Sequence, residues 1–196
     1  MSSEQAQVYA LSEASGPLRQ GEVISDLAQS LLVLQTVGSD RPALVDEKHH
    51  LSIILSQDCD LEQDWRARQA GQGASRQELR AVLFAHAELA VTLRQIVNNA
   101  RVWENARQNQ NQRYEFLAAV PAEYDAIGEG LGEMGIDFKR YFTFPTDEVY
   151  KRLTLGARRR CRLCSPYLEH LSTRFCYYQL RVALPMDHHD IVGAAV

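Results

Sequence analysis

The chain has 196 residues, 45% of them hydrophobic and 23% charged, with a formal net charge of −4. That length supports one good core. No apolar run approaches the roughly 18 residues of a membrane span, and the polar stretch Met1–Gln7 lacks the basic and apolar regions of a signal peptide. Four cysteines in such a chain read as reduced thiols, so a cytoplasmic protein without membrane contact is expected. The charge is uneven. Residues 1–72 carry 5 basic and 11 acidic side chains, residues 73–138 carry 6 and 9, and residues 139–196 carry 10 and 5. An acidic front and a basic back either neutralise one another inside the fold or leave the back to meet a polyanion or an acidic partner.

The first 56 residues read as β-structure. Residues 7–11 alternate, and 13–21 form a loop with Gly16, Pro17 and Gly21. Residues 22–27 and 30–37 give two short strands, and 38–42 carry turn chemistry. Residues 43–45 extend a strand, and "HHLSIILS" (49–56) is the clearest, with β-branched residues in a run too short for a buried helix. "DCDLEQDWRARQAGQG" follows, acids first and arginines last, the order a helix macrodipole favours. Glu62/Arg66 and Asp64/Arg68 are helical i,i+4 pairs. Ser75 with Glu78 fits a capping box. Residues 81–87 fit either a helix or a buried strand that feeds a helix near Glu88; the strand is preferred, because a barrel needs it. Residues 98–113 read as a frayed helix or a surface loop, 113–120 as a strand, 127–135 as a glycine-rich loop and 136–145 as a strand. Thr146 opens a helix running through "GARRR". Ser165 as cap and Pro166 at the first helical position open the last one.

The order predicts one α+β domain over 1–196. A small, mostly antiparallel β-barrel or sheet spans 7–145, with a helical insertion around 87–112. C-terminal helices occupy 146–184, and 185–196 is a tail that includes "HHD".

Three groups of residues bear chemistry. In "SIILSQDCDLEQDW" (52–65), Ser56, Asp58, Cys59 and Asp60 are catalytic candidates. Asp58 and Asp60 share a side in an extended chain and offer the oxygen ligands that magnesium or calcium prefers. Cys59 is a nucleophile only if positive charge or a helix start makes its thiolate, with His49, His50, His86 and His170 as scattered bases. The plainer reading is that Ser56 or Asp58 caps a helix and Cys59 packs inward. The second group is Cys161, Cys164, His170 and Cys176, formally four zinc ligands, though Leu163 and Phe175 argue for buried thiols. The third is the cationic set Lys139, Arg140, Arg158, Arg159, Arg160 and Arg162. Arginine suits phosphate, and Tyr141, Phe142 and Tyr150 lie close in sequence for base stacking.

Three segments carry a resemblance: "RQGEVISDL" (19–27), "SIILSQ" (52–57) and "IDFKRYFTFPTDEVYKRL" (136–153). Their order resembles the MazF/PemK family of small bacterial toxins. The resemblance implies an SH3-like barrel, metal-independent endoribonuclease activity, a paired antitoxin and a homodimer. Ser56 matches the hydroxyl residue that closes the family's apolar strand. The family's basic residue after the opening strand has no counterpart in "SDLAQS", so no catalytic arginine is assigned. The function expected is an interaction module contacting RNA, DNA or an acidic protein, in a toxin–antitoxin or phage-defence setting. The alternatives are a metal-independent endoribonuclease toxin and a divalent-metal enzyme centred on Asp58 and Asp60. No cofactor is expected.

Overall fold

The structure is a computed structural model that describes residues 7–34, 42–71 and 77–180. In chain order its elements are β1 (Tyr9–Leu11), β2 (Glu22–Leu34), β3 (Pro42–Ile54), α1 (Asp58–Gln69), β4 (Ala81–Leu89), α2 (Ala90–Ile96), α3 (Ala100–Arg107), β5 (Tyr114–Leu117), β6 (Met134–Pro145), α4 (Thr146–Leu155), β7 (Arg158–Leu163) and α5 (Tyr167–Gln179). The strands form one antiparallel sheet in the order β1-β7-β2-β3-β4-β6-β5. The class is α+β, but the ladder ends at β1 and β5, so a closed barrel is not shown. The two edges are linked by a side chain instead: the Tyr9 hydroxyl donates to the Ala118 carbonyl at 2.5 Å.

The alternation within the strands explains the layers. Val23 and Ile53 face one side of the sheet, with Tyr9, Ala85, Ile136, Phe138 and Leu163, and they pack under Leu171 and Phe175 of α5. Their neighbours Ile24 and Ile54 face the other side, with Val82, Phe84 and Phe144, against Leu61 of α1 and Val149 of α4. Because both faces are covered, the central strands read as continuous apolar runs rather than alternating ones. A third cluster, Leu93, Val97, Ala106 and Tyr114, holds α2 and α3 to β5.

Three expectations are corrected. The two short strands expected on either side of residue 28 are one 13-residue strand, β2, and the segments at 43–45 and 49–56 are one strand, β3. They pair from Val23↔Ile53 to Leu34↔Pro42. β2 meets β7 only over Glu22–Ser25, and β3 meets β4 only over Leu51–Ile54. Beyond those residues the two strands pair with each other as an arm, with Leu32 and Leu44 opposite one another and about 70% exposed. The helix expected through "GARRR" stops at Gly156, whose φ of 130° lies outside right-handed helical space. The arginines then form β7, an interior strand between β1 and β2. The last helix is capped at Pro166 rather than Ser165. Residues 81–89 form the strand preferred from the sequence, and 100–107 form a helix because the Asn99 side chain accepts from the Arg101 and Val102 amides. Ser75 and the tail at 185–196 lie outside the described residues.

Candidate functional site

The turn after β3 is held by its own polar side chains. The Leu55 amide donates to the Leu83 carbonyl at 2.8 Å, and Ser56 Oγ accepts from the Leu83 amide at 2.8 Å. Asp58 accepts from Arg19 Nη1 at 2.9 Å and from the Gln20 amide at 3.1 Å. Neither Ser56 nor Asp58 caps α1. The cap position is Gln57, without a side-chain bond, and Asp58 and Asp60 serve the first turn by charge. Cys59 is exposed rather than packed inward. Its Sγ lies 3.8 Å from Gln57 Oε1 and 3.9 Å from Asp60 Oδ1, in the first turn of α1. Cys59→Ser is therefore expected to shift stability by less than about 0.5 kcal/mol, read from a thermal melt. Ser56 and Asp60 line a cavity of about 400 Å³ with Gln57, Phe175 and Cys176.

The cationic set divides. Arg159 is 8% exposed: Nη1 donates to the Glu13 carbonyl at 2.7 Å, Nη2 to the Gly16 carbonyl at 2.9 Å, and Nε lies 3.6 Å from Glu22. Arg160 is 7% exposed and grips Asp125 through two bonds of 2.8 and 2.7 Å. Both are committed within the fold, because an interior strand has both faces covered, and neither is offered to phosphate. Arg158 is exposed and Arg162 half-buried on the same strand, while Lys139 and Arg140 are exposed on β6.

The register of β6 sets Lys139 and Arg140 apart. Ala85 pairs with Tyr141, but His86, the next residue of β4, pairs with Asp137. Residues 138–140 are thus extra and form a bulge, a device that re-aims side chains. Phe138 turns fully inward, Lys139 and Arg140 turn out, and Tyr141 is 48% exposed. Asp137 pins the base of the bulge, accepting from Arg113 Nε at 2.7 Å and from the Lys139 amide at 3.0 Å. The Tyr141 ring meets Phe175 edge-on at 6.1 Å. Phe175 also lines the Ser56 cavity, so the bulge and the turn after β3 border one surface.

Beside the bulge lie two histidines that sequence reasoning treated as scattered. The His49 ring stacks on Phe142 at 4.0 Å, and the His86 centroid lies 4.7 Å from that of His49. Burial pushes both imidazoles below their usual range, His86 to about 4, and the Arg140 cation pushes in the same direction. Glu47, two residues along β3, completes a group whose potential ligand atoms lie within 4.8 Å of one another. No sequence signal marks this meeting, since it depends on how β3 and β4 pair in the sheet.

A separate cleft of about 690 Å³ lies between β5 and α5, lined by Phe116, Leu117, Tyr167 and His170. At its wall, the buried Glu115 accepts from His170 Nδ1 at 2.9 Å and contacts Arg174 Nε. Burial raises the Glu115 carboxyl above its usual range although both partners oppose this. Arg174 also donates to the carbonyls of Asn109 and Asn111 at 2.6 and 2.7 Å, so it clamps α5 to the chain before β5. His170 is thereby drawn to Glu115, while Cys161 is buried in the sheet and Cys176 is exposed; among the described residues this set forms no potential metal group. No protein-family model matches the chain, and no curated protein matches it.

Proposed function

We propose that this protein binds single-stranded nucleic acid, RNA first, on the face made by Lys139, Arg140 and Tyr141. The observation that carries this reading is the bulge in β6, which presents two cations and a half-exposed aromatic ring in succession. Proteins that bind single strands combine these two elements, cations along the backbone and rings on which bases stack. Lys139 makes no ion pair among the described residues, and Arg140 is held only loosely, 3.6 Å from Glu88. Arg158 and Arg162 stand four strands away in the order of the sheet and are not part of the proposed face. The net charge of −4 opposes a polyanion at long range, and the two cations predict a modest weakening of binding with salt, a log–log slope of about −1.4.

The experiment is fluorescence anisotropy with a labelled RNA of about ten nucleotides over a salt series. The double variant Lys139→Ala/Arg140→Ala is expected to lose about tenfold or more in affinity. Two lost phosphate contacts should flatten the log–log salt slope by about 1.4. Absence of binding at low salt, or binding that the double variant leaves unchanged, would sink the proposal and pass these cations to an acidic protein partner. Cleavage is not part of this reading, because Ser56 and Asp58 are engaged by main-chain amides. The SH3-like barrel, the MazF/PemK relationship, a homodimer and a toxin–antitoxin or phage-defence setting rest on the resemblance alone.

A further inference from the structure

We propose that Glu47, His49 and His86 form a binding site for one divalent transition-metal ion, zinc by the chemistry of its donors. The proposal stands apart from the nucleic-acid reading and needs none of it.

Geometry comes first. One oxygen of Glu47 and one nitrogen from each imidazole lie within 4.8 Å of one another. A tetrahedral zinc ion with ligand bonds near 2.0–2.1 Å sets its ligand atoms about 3.3 Å apart. Small side-chain movements close that difference, and the exposed Glu47 is free to make most of them.

The second observation is independent. His49 is 2% exposed, and its Nδ1 is buried without a hydrogen-bond partner. Its other nitrogen, Nε2, lies 3.1 Å from Gln29 Oε1. An amide oxygen only accepts, so Nε2 carries the proton and Nδ1 presents its lone pair. Metal-bound histidines show this arrangement, in which the second ring nitrogen donates to an oxygen that fixes the tautomer and the ring's orientation. Without an ion, the fold has desolvated a lone pair for no return. The stack of His49 on Phe142 locks the ring further.

Donor chemistry narrows the ion. Two imidazoles and one carboxylate suit zinc and its neighbours rather than magnesium or calcium, which prefer all-oxygen shells. Three protein ligands leave one position open, as in sites where zinc meets water or substrate. One group opposes the ion: Arg140 acts on both rings as a nearby cation. Its removal should therefore tighten the site, the reverse of its effect on nucleic acid.

The test uses the full chain, stripped with a chelator, desalted, and titrated with Zn²⁺ by calorimetry and with Co²⁺ by absorption. One ion per chain is expected. Gln29→Leu should weaken binding by about 10- to 100-fold, Glu47→Gln and His86→Gln by at least as much, and Arg140→Ala should strengthen it. If His86→Gln fails to fold, Glu47→Gln and Arg140→Ala carry the test, since both alter exposed side chains. The proposal falls if no stoichiometric binding occurs, or if Glu47→Gln leaves the affinity unchanged. It also falls if Co²⁺ gives a strong thiolate charge-transfer band, which would place the ion on cysteines.

Discussion

Asp125→Ala is expected to destabilise the protein by about 3–5 kcal/mol, because it strands a buried guanidinium. The side chains of Asp125 and Arg160 are 0% and 8% exposed, and two bonds of 2.8 and 2.7 Å join them. Asp125 also accepts from the amides of Ile127, Glu129 and Gly130, the last at 2.8 Å. The same carboxylate therefore shapes the loop before β6 and neutralises the interior strand β7. Urea unfolding at neutral pH measures the loss, and a change below about 1 kcal/mol would contradict a fully desolvated pair.

The same residue has a pH signature. The hydrogen bonds from Arg160 hold the Asp125 carboxyl below its usual range. A depressed acid contributes stability that is fully present above its unfolded value, near 3.9. That contribution is lost as pH falls through the lower folded value. Asp125→Asn should therefore flatten the acid limb of the stability curve below about pH 4 and leave the slope between pH 5 and 7 unchanged. Glu22 and Glu115 have the opposite sign, because burial raises both. Their contribution is greatest below an unfolded value near 4.3 and declines as pH rises through the raised folded value. The depressed His49 and His86 act in the opposite sense, adding stability as pH rises towards their unfolded value near 6.5. The two carboxyls are therefore read by substitution: Glu22→Gln and Glu115→Gln should each remove part of the decline above pH 4, and a curve unchanged in both would contradict their burial.

Phe138→Ala is expected to cost about 3–5 kcal/mol by loss of burial and by the cavity left behind. Phe138 is fully buried and packs 5.6 Å from the Phe175 ring and 6.0 Å from the Tyr178 ring. It is also the inward anchor of the bulge whose next residues are Lys139 and Arg140. RNA affinity should fall in this variant even where the chain remains folded, because the cations lose their fixed placement. Equal melting temperatures for Phe138→Ala and the parent would refute the packing. A folded variant with undiminished RNA binding would separate the bulge from the function.

Local chemistry made some elements legible. The acid-to-arginine order of 58–68 marked α1, and the β-branched run at 51–54 marked the inner end of β3, because dipole and pleat act over a few residues. β7 was missed. Three arginines in a row look like a solvated helix face, and only a strand with partners on both sides makes burying two of them, Arg159 and Arg160, workable, through Glu22 and Asp125 from distant parts of the chain. The arm was read as separate short strands because its alternation breaks where β2 and β3 leave the sheet near Asp26, whose φ is 60°. Of the six cations chosen from the sequence, Lys139 and Arg140 lie on the proposed face, and a register shift, which no local pattern encodes, put them there.

The sequence by itself determined the α+β class, the absence of an apolar run long enough to cross a membrane as a helix, and the residue types available for chemistry. Composition and short periodicities carry that information, since each residue's preference is local. The tertiary structure decided which charges face solvent and which are neutralised inside. It alone brought Glu47 and His49 of β3 to His86 of β4, and buried the His49 ring with its Nδ1 unpartnered. The physical reason is strand register: a slip of one residue sends every side chain to the opposite face. Register follows from how the whole set of apolar surfaces packs, not from any one stretch of chain.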